Sequence, residues 1–468
     1  MIPPRQFADT DDSQCFSFHI GEESMKKQFV SGFVLLTILF ACTKKTVHAD
    51  CMPNPCDTVS STQASYICEK SIFESPLFEN QLIGKKSKSR ISFYGWMLTG
   101  VTVNNHGATN KYGPDPSAYG FNNRYADNGT VVRNGYNDHS ANTYVLQLEQ
   151  PTDWKVNQLW FGAKRDLDNR FGWGFQADFL YGTDARYARN WGDRSFDHQW
   201  GSGDYFAAFP QLFGTIGTKD LFVKVGKFAG GFAYEGLAAP KEYFYTHANI
   251  CYGRPLVTQG AMVEWHPNKK WMLTGGWTAG VFNSFENPYD DNGFLGKATY
   301  NFTEKLALTY KIFYNDRGAR NLTTNTGQID CLNTLILTWK INKEWFYMGE
   351  IAYTDNNYYS SVGKGTGDAW GINNHLIRTF NDKFSVGLRG EFHHSRNSTF
   401  DNAGVSGGEG GDLWNITVAA QYKMTPKTMF RPEIRYDYAD YKNGFRPFGG
   451  DNSEKDQLCG GVSFLVTF

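Results

Sequence analysis

Two short runs toward the end of the chain put ionisable side chains at alternate positions: Arg389, Glu391 and His393 in one, Arg431, Glu433, Arg435 and Asp437 in the other. Paired carboxylates could serve as general acid and base, but here each is interleaved with a cation. That is the pattern of a charged wall more than of an acid/base couple. His393 and His394 are adjacent, and neighbours on a strand point to opposite faces, so the two imidazoles cannot share a metal. A hydrolase would need Ser, His and a polar third partner brought together, and no local signature marks such a set. What remains is electrostatics at a watery surface. The residues read as lining a pore are Lys224, Lys311, Arg389, Glu391, Arg431, Glu433, Arg435 and Asp437. No catalytic residue, metal or cofactor is expected, and the chain is read as no enzyme.

Only strands can position these groups. Phe384, Val386, Leu388 and Phe392 oppose Ser385, Arg389, Glu391 and His393; Phe430, Ile434, Tyr436 and Tyr438 oppose Arg431, Glu433, Arg435 and Asp437. Leu306, Leu308, Tyr310, Ile312 and Tyr314 likewise oppose Ala307, Thr309 and Lys311. Charges on the second face would be ruinous in lipid, so that face must look into water while the apolar face meets lipid. A soluble sandwich would explain the alternation but not the strand lengths or a secretory leader. Leu458, Gly460, Val462, Phe464, Val466 and Phe468 alternate in the same way. A strand ending on an aromatic residue reads as the closing strand of an outer-membrane barrel, with Phe464, Val466 and Phe468 as its assembly signal.

Short polar turns punctuate the strands at Asp166–Asn169, Gly217–Asp220, His266–Lys269, Asn301–Lys305, Ile341–Glu344, Phe380–Lys383 and Lys423–Lys427. Segments are expected to begin near residues 91, 155, 170, 209, 221, 255, 270, 293, 305, 330, 344, 368, 383, 412, 427 and 457. The fold class is therefore all-β: a transmembrane antiparallel up-and-down barrel of about 16 strands, with short periplasmic turns and long outer loops. A run at Tyr144–Glu149 is left over. At that strand number the lumen is too wide for strand side chains to fill.

Composition agrees. Aromatics make up 16 % of the 468 residues, glycines number 49 and the formal charge is -1, while the mean hydropathy is -0.48. These values exclude a helical membrane protein and give no basic surplus for nucleic acid. Residues 25–49 read as a signal peptide: Met25-Lys26-Lys27, an apolar core from Phe29 to Ala41, and Val47-His48-Ala49 at the cleavage site. The polar residues 1–24 read as an extension, with Met25 a candidate start. A lipidated Cys42 is the alternative. Residues 50–90 read as a periplasmic leader or short plug, and 91–468 as the barrel. Cys51, Cys56, Cys68, Cys251, Cys331 and Cys459 would meet an oxidising compartment, and their pairing stays open.

The stretch from Ala229 to Arg254 is rich in aromatics that would be costly in open solvent, so it must pack against something. Tyr234, Glu235, Lys241, Glu242, Tyr245 and Arg254 are read as a constriction loop in the lumen; the equal alternative is a cap on the rim or a contact with a neighbouring subunit.

Phe222–Phe228, Gly231–Glu235, Tyr243–His247 and Gly253–Gly260, with the strand Phe171–Arg186 and the opening Tyr94-Gly95-Trp96, resemble the bacterial OmpL-like outer-membrane β-barrel porins. The similarity covers most of residues 91–468 and excludes the leader; Cys251 and the N-terminal cysteines depart from it. It implies a porin and does not bring a substrate with it. The expected function is passive diffusion of small hydrophilic solutes and ions across the outer membrane; a non-channel barrel acting as adhesin or surface anchor is the alternative. Partners are then outer-membrane lipid, the barrel-assembly machinery and the solutes, with monomer or homotrimer open.

Overall fold

The computed structural model describes residues 91–106, 154–188, 197, 200–202, 205–251, 256–281, 285, 287, 292–316, 331–360, 363–395, 411–441, 446, 448 and 454–468. The expected signal peptide, the leader with its three cysteines, Cys42, the run at Tyr144–Glu149 and Arg254 lie outside those residues.

The strands are β1 (Ser92–Asn104), β2 (Lys155–Arg165), β3 (Gly172–Gly182), β4 (Gly201–Ser202), β5 (Tyr205–Gly217), β6 (Leu221–Ala229), β7 (Val257–Trp265), β8 (Trp271–Val281) and β9 (Asn292–Thr303). They continue as β10 (Leu306–Asp316), β11 (Cys331–Lys340), β12 (Trp345–Ser360), β13 (Gly363–Asn381), β14 (Phe384–Ser395), β15 (Gly411–Thr425), β16 (Thr428–Tyr441) and β17 (Asp456–Thr467). Each pairs antiparallel with its sequence neighbour; β4 is a two-residue hairpin arm on β5, so β3 pairs directly with β5. β17 returns to pair with β1, Trp96 opposite Thr467 and Asn104 opposite Cys459. Leaving β4 aside, the wall is a closed barrel of 16 strands. Among the described residues no helix is long and apolar enough to cross a membrane.

Turn chemistry explains the regular hairpins. Asn342 Oδ1 accepts the N–H groups of Glu344 (2.8 Å) and Trp345 (2.9 Å), and Asn268 does the same for Lys270 and Trp271. Asn381 accepts Lys383 N–H at 2.9 Å, while Thr303 and Thr425 use their hydroxyls for Lys305 and Lys427. Each side chain replaces a backbone partner that a two- to four-residue turn cannot supply.

Burial follows the alternation. Leu388 and Ile434 are 41 % and 63 % exposed on the outer face, while Arg389 and Arg431 are 0 % and 1 % exposed on the inner one. Aromatics belt the outside: Phe468 lies 5.6 Å from Phe161, and Arg165 and Arg378 stack on Trp173 and Phe380. Gly95 makes room for the last ring, since a Cβ there would stand 2.2 Å from Phe468. Cys331 and Cys459 are buried on β11 and β17.

One strand breaks the pattern. Gly226 has φ 136°, a conformation glycine tolerates and other residues resist. Val225 is exposed outside, yet Lys227, two positions on, is fully buried. Its ammonium donates to Ala188 O at 2.8 Å and pairs with Asp197 Oδ2 at 3.2 Å.

Candidate functional site

Register aligns the inner charges in rows. Glu350, Asn373, Glu391, Asn415, Asp437 and Gln457 lie at one level across β12 to β17. His375, Arg389, Thr417 and Arg435 lie on the next level along. A wall with such rows offers acceptors and donors in bands.

The connection between β6 and β7 lies against these bands, inside the barrel. From Phe232 to Ile250 it is mostly buried and has little regular structure beyond two short 3-10 turns. A buried irregular segment must find partners for its peptide groups outside itself. The wall supplies them. Glu433 accepts Tyr245 N–H (2.8 Å) and Thr246 N–H (3.3 Å) together with the Thr246 hydroxyl. Glu391 accepts Asn249 N–H at 2.8 Å and Ile250 N–H, and Glu350 accepts Tyr234 N–H at 3.0 Å. In the other direction Arg389 donates to Thr246 O (2.6 Å), Arg435 to His247 O (2.6 Å) and Arg431 to Glu242 O (3.0 Å). Lys311 donates to Ala233 O at 3.0 Å and to Gly231 O, Gln421 to Tyr243 O, and Gln158 to Leu237 O at 2.7 Å.

Side chains complete the attachment. Glu235 pairs with Arg389 at 3.0 Å and lies 3.1 Å from His375 Nε2, and Phe244 packs edge-on to His375 and under the Arg389 guanidinium. Arg435 forms a fork with Asp437 at 2.7 Å. Tyr245 reaches furthest: its N–H is held by Glu433 on β16 and its hydroxyl donates to Asn157 on β2 at 3.0 Å. Between those strands its ring lies over Gly100 and Gly461, where a Cβ would come within 2.7 and 3.2 Å of it.

Burial would raise the Glu235 carboxyl, but Arg389 and His375 outweigh it and hold it below the usual range. Burial, then the charge of Glu235, pushes Glu242 well above that range. Burial depresses His247, against the pull of Glu235. Ligand atoms of Glu235, Glu242 and His247 lie within 4.8 Å of one another, the spacing of a metal site. Each already has a partner, however: Glu242 accepts Gly236 N–H at 2.6 Å, His247 Nε2 meets Gly236 O at 2.6 Å and Glu235 accepts Ala248 N–H at 2.7 Å. With the Arg389 guanidinium at 3.0 Å from Glu235, a cation there would meet a like charge.

The sequence-derived residues thus come together in a way the alternation did not suggest. Lys311, Arg389, Glu391, Arg431, Glu433, Arg435 and Asp437 all face inward, but they are covered by the loop, at most 6 % exposed, and not open to lumen water. Their expected solvation is corrected for a physical reason: the loop's peptide groups need them. Lys224 alone of that set keeps contact with solvent, its ammonium 4.9 Å from the Phe228 ring. Of the loop residues, Glu235, Glu242 and Tyr245 are buried, Tyr234 is half-buried and Lys241 is exposed. His393 faces inward and His394 outward, where it meets Asp412 at 2.6 Å. Asn157, Gln158, Glu350, His375 and Gln421 were not singled out from sequence; inward parity was the signal for Gln158, Glu350, His375 and Gln421, whereas Asn157, beside Gln158, lies where the β1–β2 register shifts.

Residues 90–468 match the family described as "Putative beta-barrel porin-2, OmpL-like". The chain belongs to that family. It is a barrel of the outer-membrane porin kind. Its fold is similar to that of the outer membrane channel DcaP of Acinetobacter baumannii, with a TM-score of 0.51 at 10 % identity over 83 % of this chain and 100 % of the other. An anion-selective porin from Comamonas acidovorans gives a TM-score of 0.49 at 11 % identity, covering 81 % of this chain and 99 % of that one. Such identities speak to the fold alone. No curated protein matches the chain in sequence.

Proposed function

We propose that this porin is a passive diffusion channel for small hydrophilic solutes and ions, its bore set by the segment Phe232–Ile250. The observation that carries this reading is the attachment of that segment: its backbone is satisfied by charged groups of β10, β12, β14 and β16 and by Gln158 of β2. A segment anchored at so many points narrows the lumen as a fixed feature of the wall and does not swing as a gate. The family supports a channel and not an enzyme. Single-channel recording in planar bilayers tests it. Discrete conductance steps are expected, with larger steps once residues 232–250 are replaced by a short linker. A surface anchor with a closed lumen would give no steps in either form.

We also infer that copies of the chain associate, with a homotrimer as the state to test. On the outward face Asn333 accepts a hydrogen bond from Tyr310 (2.6 Å) and Asn374 from Tyr347 (2.8 Å), and polar amides on a lipid-facing wall favour cover by protein. Native gels and cross-linking in detergent read the state. Phe464, Val466 and Phe468 are the residues we assign to recognition by the barrel-assembly machinery.

A further inference from the structure

We propose that the outer surface of the barrel carries two sites for the phosphate of a glycerophospholipid headgroup, each an arginine laid on an exposed aromatic ring at the turn end of the wall. The proposal concerns the outward face and stands whether or not the lumen conducts.

Arg165 is the last residue of β2 and shares the outward parity of Phe161, which is exposed. Its guanidinium carbon stands 3.8 Å from the centre of the Trp173 ring, and that ring is 56 % exposed. Trp173 stacks on Phe175 at 6.4 Å, and Phe175 lies directly across from Arg165 in the β2–β3 register. Ile216, opposite Trp173 on β5, and Phe93, opposite Ala163 on β1, are both exposed and widen this apolar floor. A cation resting on a ring face keeps its edge free. Among the described residues no acceptor meets the Arg165 N–H groups. The carboxylates that follow it in the chain are engaged elsewhere: Asp166 pairs with Lys164 at 3.2 Å, and Asp168 accepts the Arg170 N–H at 2.8 Å.

The arrangement recurs on strands that do not touch β2 or β3. Arg378 on β13 faces outward opposite Trp345 on β12, its guanidinium carbon 5.4 Å from that ring and 4.6 Å from the ring of Phe380, which is exposed. Glu344 lies at 3.7 Å, with both side chains open to solvent. An exposed pair at that distance is worth little, so the guanidinium can take a better acceptor.

Outward arginines are costly in hydrocarbon unless they stand where the hydrocarbon ends. The exposed rings beside Arg165 and Arg378 mark that level, and the polar turns Asp166–Asn169 and Phe380–Lys383 follow within a few residues. A guanidinium held there meets headgroups. Its planar fork matches two oxygens of one phosphate, while the apolar floor lies against the acyl chains below. Both parts are needed: a neutral lipid lacks the anion, and inorganic phosphate lacks the chains.

Native mass spectrometry of the full-length protein in detergent, with dioleoylphosphatidylglycerol or the phosphate-free dioleoylglycerol added, tests this. Wild type should retain two molecules of the phospholipid and none of the diacylglycerol. Arg165→Gln and Arg378→Gln should each retain one and the double variant none, with Lys343→Gln on an exposed turn matching wild type. Heat-modifiable migration on gels reports whether each barrel is folded; should a glutamine variant not fold, Arg165→Lys, which keeps the charge and loses the fork, must still retain less phospholipid than wild type. Equal retention of the two lipids by wild type, or unchanged retention in the folded double variant, would overturn the proposal. Release of the bound phospholipid by excess inorganic phosphate would do so too, because the sites would then select an anion and not a lipid. None of these outcomes bears on conductance steps, so the channel reading is tested separately.

Discussion

Arg389 is one of the wall residues that hold the loop in place. Its guanidinium bonds Glu235 and Thr246 O of the loop and Thr417 and Asn415 of the wall, and lies 4.8 Å from the Phe244 ring. Removing one member of a buried pair typically costs about 3–5 kcal/mol, because the partner is left charged and dry. Arg389→Leu should therefore lower the thermal unfolding point of the folded band and open the loop to protease. Arg389→Lys should be nearly as damaging, since one ammonium cannot reproduce a planar fork. If the lysine variant melts with wild type, charge alone accounts for the residue.

Glu242 and Glu235 give the loop a pH dependence of known sign. A carboxyl raised in the folded state contributes fully below its unfolded value of about 4.3 and loses that contribution as pH climbs through the folded value. Glu242 is of this kind. Glu235 is depressed, so its contribution is present above about 4.3 and is lost as pH falls through its folded value. Protease susceptibility of the loop should thus rise at both ends of a pH series. Glu242→Gln should abolish the alkaline rise alone, and an unaltered alkaline limb in that variant would contradict the assignment.

At the scale of elements, each strand has two faces that answer to different solvents. Leu388→Arg or Ile434→Arg places a charge in lipid and should cost about 2–4 kcal/mol near the midplane, read as reduced folded yield in vesicles. Neutralising Arg389, Arg431 and Arg435 together should not act as a simple selectivity change in an intact barrel. Those groups hold loop carbonyls, and the variant should show larger, noisier conductance.

The strands were legible because lipid and water impose a period of two, and the turns because Asn, Asp and Thr recur where short connections need acceptors. The expected start near residue 209 became Tyr205, and that near 368 became Gly363; neither changed a pairing. Where the loop lies was not legible. Its contacts join Tyr245 to Glu433 and Ala233 to Lys311, and no local pattern encodes partners so far apart. Lys227 escaped for another reason: its position in line with Val223 and Val225 gave it outward parity, and its burial depends on Ala188 and Asp197, which lie far from it in the chain.

On the scale of the molecule, the fold assigns sides. Turns such as Asn342-Lys343 should be periplasmic, so a cysteine placed at Asn342 should resist an impermeant label on whole cells, and labelling there would reverse the topology. The wall has no free edge once β17 meets β1, a general protection of barrels against edge-to-edge pairing.

That meeting has a consequence for how the barrel is held together. The two strands that close it are the first and last of the barrel, and Tyr245 sits across their junction, tied to β16 on one side and to β2 on the other with its ring on a glycine of each closing strand. The mid-chain loop is thus a clasp on the finished barrel: it ties β16 to β2 across the one junction whose two strands, with β4 left aside, are not neighbours in the chain.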